Sequence, residues 1–161
     1  MIILGIDPGT ATTGFGIIKK DSKRNFAMLD FGIIKTNPKD SPSKRLQKIF
    51  EEISFILKKT KPDLVVVEKL YFFKNLKTAM PVAEARGVIL LAIQQNKFKI
   101  IELTPLEVKM GICGYGRAEK QQVQKMVKET LKLEKIPRPD DAADALALAI
   151  CGALKATCKS N

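Results

Sequence analysis

The sequence predicts one α/β domain built on a five-stranded mixed sheet, three strands antiparallel and then two parallel, flanked by helices. Three observations predict it. Three β-rich runs within the first 36 residues are separated only by turn-length gaps, a continuous apolar run at Leu64 to Val67 follows one amphipathic helical pattern, and the later apolar runs alternate between strand and helical spacing. The length of 161 residues, against roughly 150 for a usual domain, leaves room for a single core.

The first strand is expected at Ile2 to Asp7, the second at Gly14 to Lys19 after a Gly/Thr turn, and the third at Phe26 to Thr36 after a charged turn over Lys20 to Asn25. Turns this short join antiparallel neighbours. Ser41-Pro42 then marks a helix start, and Leu46, Ile49, Phe50, Ile53, Ile56 and Leu57 recur at spacings of three and four until Lys61-Pro62 stops them. Asp63 to Glu68 reads as a strand, and its valines lack polar alternation, as in a central strand covered on both faces. A long helix is expected over Thr78 to Asn96 and a strand over Phe98 to Leu103. Thr104-Pro105 opens a short helical segment, Gly111 to Gly116 reads as a glycine-punctuated loop, and Ala118 to Leu133 has helical spacing at Val123, Met126, Val127 and Leu131. Pro137 and Pro139 break the chain before an alanine-rich helix over Asp140 to Lys155. The expected order is βββαβαβαα, with one domain at 1–155 and a frayed tail at 156–161.

Charge narrows the function. Lys and Arg number 28 against 17 Asp and Glu, a net +11 that suits nucleic acid or another polyanion. Histidine is absent, which removes Ser-His and Cys-His nucleophiles, histidine bases and His-containing zinc sites. Chemistry must come from carboxylates, lysines or metal held by oxygen. Cys113, Cys151 and Cys158 show no C-x-x-C spacing, so reduced thiols are expected, with no disulfide and no zinc. The most apolar segment, Gly87 to Ile93, is far short of the ~20 residues that span a bilayer, and Met1 to Leu4 has no basic leader. A soluble cytoplasmic protein with no membrane partner is expected.

The acids sit where an α/β sheet places its reactive crevice, outside the carboxyl ends of parallel strands. Asp7 closes the first strand before Pro8-Gly9-Thr10, and Glu68 closes the valine run. Asp140, Asp141 and Asp144 open the last helix, with Asp141 and Asp144 on one face of its first turn. Each alone has a bland reading: Asp-Pro-Gly is a turn, and an Asp at a helix start is a cap, the role expected of Asp140. Together they differ, because converging acids repel one another unless a cation or a shared proton compensates. Oxygen ligands without His or Cys select Mg²⁺ or Mn²⁺, and two such ions can activate water against a phosphodiester.

A set of ordered motifs carries a family likeness: Asp7-Pro8-Gly9-Thr10 with Gly14-Phe15-Gly16, Val67-Glu68, Glu84-Ala85-Arg86-Gly87-Val88, Gly114-Tyr115-Gly116-Arg117-Ala118-Glu119-Lys120 with Gln122-Val123-Gln124, and Asp141-Ala142-Ala143-Asp144-Ala145-Leu146-Ala147. In this order, over about residues 1 to 155, the chain resembles the RuvC crossover junction endodeoxyribonucleases. The resemblance implies a ribonuclease-H-like fold, a homodimer, Mg²⁺-dependent paired cleavage of four-way (Holliday) junctions in recombination and repair, and work beside the branch-migration helicase complex of RuvA and RuvB type. It carries over Asp7, Glu68, Asp141 and Asp144 as metal-binding catalytic residues, with two ions per subunit, and maps family basic residues onto Lys109 and Lys120. A family aromatic falls on Tyr71, where the family pattern has Phe.

Other residues are expected at the DNA. Residues 35 to 80 carry eleven Lys and Arg against five acids; part of this is a solvated helix face, whereas Lys69, Lys74 and Lys77 follow the acid-ending strand and are candidate phosphate contacts. Tyr71-Phe72-Phe73 places three aromatics in one loop, of which Tyr71 is expected to stack on an unpaired base and the others to pack inward. Two readings compete with the nuclease. Asp-x-Gly-Thr also opens sugar-kinase and actin-like ATPases, which need two large lobes, and an inactive nucleic-acid-binding module on the same fold would gain by losing acids that repel phosphate.

Overall fold

Strand alternation sorts the core into two layers, one on each face of a single sheet. The computed structural model describes residues 1–23, 25–69 and 76–158, and the side chains of these except 76–78 and 157–158. Its strands are β1 (Ile2–Asp7), β2 (Thr12–Lys20), β3 (Phe26–Lys35), β4 (Leu64–Glu68) and β5 (Ile100–Leu103), in the spatial order β3-β2-β1-β4-β5. β1, β2 and β3 pair antiparallel, whereas β4 is parallel to β1 and β5 parallel to β4. Five helices cover it: α1 (Pro42–Thr60), α2 (Leu76–Gln95), α3 (Pro105–Cys113), α4 (Lys120–Thr130) and α5 (Asp140–Cys158).

On one face Leu4, Ile6, Val65 and Val67 pack against Ile49, Ile53 and Leu57 of α1 and Ala85, Ile89 and Ile93 of α2. On the other, Ile3, Leu64, Val66 and Leu103 pack against Leu146, Ala149 and Ile150 of α5, with Val108 of α3 and Val123 and Val127 of α4 outside them. Burying each such Val, Leu or Ile side chain contributes about 1.5–3 kcal/mol. The apolar run Leu64 to Val67 of β4 is the consequence of having both layers over it.

The helix after β5 departs from expectation. Thr104 caps α3 in a capping box with Glu107, Pro105 fills the first helical position, and the helix continues through Gly111 to a left-handed cap at Gly114 (φ 69°). The expected loop at Gly111 to Gly116 is therefore half helix, and the short helical segment expected from Thr104-Pro105 is a full nine-residue helix. Gly111 is required there for packing, since a Cβ would press on the sulfur of Cys151 in α5. Phe98 is not strand: its N–H returns to the Ile93 carbonyl around a left-handed Lys97, closing α2. Leu133 closes α4 in the same way, bonding Lys128 around a left-handed Lys132. Glu119 caps α4, and α5 runs on to Cys158, three residues past the expected end.

Candidate active site

Asp7 and Glu68 leave the sheet side by side. Ile6 is opposite Val67 in the parallel β1–β4 pair, so the next residue of each strand is an acid at the carboxyl edge. The alternation that sends Ile3 toward α5 sends Asp7 there too, and Leu64 and Val66 set the same direction for Glu68. The face that receives both is the face on which α5 lies.

Small residues bring α5 close. A Cβ at Gly5 would overlap the Ala145 carbonyl, and one at Gly14, the partner of Asp7 in β2, would overlap the Asp141 carbonyl. Glycine at these positions lets the first turn of α5 rest on the strands, which presents Asp141 and Asp144 to the ends of β1 and β4. The Thr12 hydroxyl donates to Asp141 Oδ2 at 2.9 Å and fixes that carboxylate against β2. The turn after Asp7 is braced as well: Thr13 Oγ1 donates to the Gly9 carbonyl (2.7 Å), Thr36 Oγ1 to the Thr10 carbonyl (2.6 Å), Arg45 Nε to Thr36 Oγ1 (2.8 Å) and Thr10 Oγ1 to the Pro81 carbonyl of α2 (2.7 Å).

The acids perturb one another. Burial, then the charges of Glu68, Asp144 and Asp141, push the Asp7 carboxyl up to about 8, and it shares a hydrogen bond with Glu68. Burial also raises Glu68, with the Asp7 hydrogen bond opposing, and burial raises Asp144 against the pull of Lys120. At neutral pH this cluster holds a proton. Lys120 Nζ lies 2.9 Å from Asp144 Oδ2 and 3.5 Å from Asp140 Oδ2. Burial alone would lower the Lys120 ammonium, but Asp144 and then Asp140 hold it above its ordinary value.

Asp140 is not the plain helix cap expected. Its carboxylate accepts from Gln124 Nε2 at 3.1 Å, and pairs with Arg138 and Lys120, so it ties α4 to the start of α5. That hydrogen bond from Gln124, then the two cations, lower the Asp140 carboxyl. Lys109 and Lys120 line one cleft of about 250 Å³ with Glu68 and Asp144, floored by Val108, Val123 and Ala147. The larger cleft of about 400 Å³ lies elsewhere, between Phe15 and Ile34 of the sheet and Phe55 and Lys59 of α1. Lys69 is exposed where β4 ends. Tyr71, Lys74 and the side chain of Lys77 lie outside the described residues. Thr12 and Gln124 were not anticipated as site residues; each acts through a contact more than fifteen residues distant in sequence.

The donor set fits a hard divalent cation: four carboxylates, no softer ligand, and a proton and an ammonium already compensating their charge. Among the described residues no three acids enclose an ion as they stand. Asp7 bonds Glu68 and Asp144 bonds Lys120, so a cation would replace that proton and displace that lysine.

Known proteins match this chain along nearly its whole length. The family model described as crossover junction endodeoxyribonuclease RuvC matches residues 3–152. The enzyme of that name from Fusobacterium nucleatum subsp. nucleatum is 52% identical over 150 residues, covering 93% of this chain and 78% of that protein. The Thermus thermophilus RuvC structure superposes with a TM-score of 0.92 at 31% identity, covering 99% of this chain and 97% of that one. The same protein in complex with Holliday junction substrate gives 0.89 at 28% identity, covering 98% and 96%. Such agreement in sequence and architecture, along nearly the whole length, means that the chain belongs to the RuvC family of crossover junction endodeoxyribonucleases.

Proposed function

We propose that this chain, a crossover junction endodeoxyribonuclease by family, uses Asp7, Glu68, Asp141 and Asp144 to hold divalent ions, two Mg²⁺ per subunit with Mn²⁺ as a substitute, and cuts four-way junction DNA in paired symmetric nicks. The observation that carries this is the convergence of the four acids from β1, β4 and α5, where burial and then the neighbouring carboxylates let Asp7 retain a proton to about pH 8. Divalent ions, when bound, neutralise charge on the phosphate and activate a water. Asp7, its proton lost to solvent, would hold the ions together with Glu68, Asp141 and Asp144, and Lys120, released from Asp144, would be free to contact the scissile phosphate. Lys109, across the same cleft, meets that phosphate from the α3 side. Lys69, Lys74 and Lys77 contact backbone phosphates and Tyr71 stacks on a base at the junction centre.

Residues 1–155 form one nuclease domain that works as a homodimer in the cytoplasm, beside a branch-migration helicase complex of RuvA and RuvB type. No helix among the described residues is long and apolar enough to cross a membrane. The outer face of α2 supports the dimer: Met80 (71% exposed) and Leu91 (51%) flank Gly87, which has open space above it. The solved complex of the Thermus thermophilus protein supports the substrate.

The test is a nicking assay in Mg²⁺ on a four-way junction, a linear duplex and a single strand of the same sequence. Selective paired nicks in the junction are expected. Junction binding without cutting would instead favour the non-catalytic module.

A further inference from the structure

Arg86 lies on α2, on the side of the sheet opposite the four acids, yet it grips the strand that carries one of them. In β5 the alternation places Ile101 and Leu103 on the α5 side and Ile100 on the α2 side, so Glu102 faces α2. The Arg86 guanidinium pairs with the Glu102 carboxylate, whose Oε2 is shielded from solvent. Its Nε–H donates to the main-chain carbonyl of Glu68 at 3.3 Å.

We propose that Arg86, held by Glu102, is a positioning residue for Glu68, fixing the strand end from behind so that the carboxylate on the other face meets Asp7 and the incoming cation. This rests on the reading of Glu68 as a metal-holding acid. The register of β4 with β5 ends at Glu68 opposite Leu103. The peptide leaving Glu68 is gripped at both polar groups: Arg86 takes its carbonyl, and the Lys69 N–H bonds the Leu103 carbonyl at 2.7 Å. With that plane fixed, the Cα–Cβ direction of Glu68 is fixed too. Stability alone does not call for the pair, because a partly buried ion pair, its side chains 21% and 34% exposed, contributes little net stability once desolvation and ordering are counted. Its use lies in the guanidinium's spare donor. Lysine lacks the planar fork that serves Glu102 and the carbonyl at once.

Two variants test this. Arg86→Lys keeps the charge and loses the fork; Arg86→Met with Glu102→Met replaces the pair by apolar bulk. Both are expected to melt within a few degrees of the parent. Both should bind Mn²⁺ about tenfold more weakly by calorimetry without DNA, and cut a four-way junction about tenfold more slowly at saturating protein, with junction affinity in EDTA unchanged. Glu68→Gln is the separate arm: if it binds Mn²⁺ and cuts like the parent, the reading of the acid site fails. An inactive Glu68→Gln beside Arg86 variants that bind Mn²⁺ and cut like the parent would overturn the positioning role alone. Arg86 variants that lose activity only in step with a lowered melting temperature would overturn it as well.

Discussion

Asp7 holds its proton because burial and then the charges of three other acids make its own charge unwelcome, and that has a stability consequence. A carboxyl that titrates near 8 in the fold and near 3.8 in the unfolded chain favours the fold most fully below the lower value. The contribution is lost as pH rises through the upper one. Glu68 and Asp144, both raised, act in the same sense. In EDTA the protein should therefore lose about 3 kcal/mol between pH 5.5 and 8.5 from Asp7 alone. Scanning calorimetry should show the melting temperature fall over that range, and Asp7→Asn or added Mg²⁺ should flatten the fall; a flat profile for the parent would contradict the assigned titration. Asp7→Asn and Glu68→Gln should also abolish cleavage while leaving junction binding equal or tighter, since each removes a charge that repels phosphate. For Lys109→Ala and Lys120→Ala the cleavage rate should drop more than affinity does in gel-shift titrations; equal losses would make them ordinary backbone contacts.

The element that assembles the site is α5, and its depth is set by glycine. Gly5→Ala would drive a methyl into the α5 backbone at Ala145, so the helix must lift; overpacking of this kind costs about 1–3 kcal/mol. Chemical denaturation should show that loss, and nicking should fall more steeply than stability because Asp141 and Asp144 move with the helix. A variant destabilised but fully active would show that their placement does not depend on this contact. The strand-end acids were legible in the sequence because that logic is local: a β-run followed by an acid and a turn fixes where Asp7 and Glu68 stand. So was the pair Asp141 and Asp144 near the start of α5. The start of β5 and the end of α4 were not, because lysine at 97 and 132 takes the left-handed position that glycine usually marks. The capping box Thr104-x-x-Glu107 was a readable signal for a full α3, outweighed by the glycines that follow it. Thr12 to Asp141, Gln124 to Asp140 and Arg86 to Glu102 join distant parts of the chain, and no local pattern encodes such contacts.

At the scale of the whole molecule, the net charge of +11 surrounds a pocket of acids, so the surface draws DNA in and the site repels it until cations bind. Junction affinity should fall steeply with salt, about 0.9 log units per log unit of salt for each phosphate neutralised. Leu91→Asp, at a half-exposed position on the outer face of α2, should leave the fold intact and turn a dimer into a monomer by light scattering. A parent that is already monomeric at micromolar concentration would count against the dimer. Four acids from three elements acting as one cation site is tested most directly by titrating Mn²⁺ into the metal-free protein at pH 7 in buffers of different ionisation enthalpy. The apparent heats should reveal the release of about one proton on binding, and Asp7→Asn should abolish that release. Mn²⁺ binding with no proton released, or with the same release from Asp7→Asn, would contradict it.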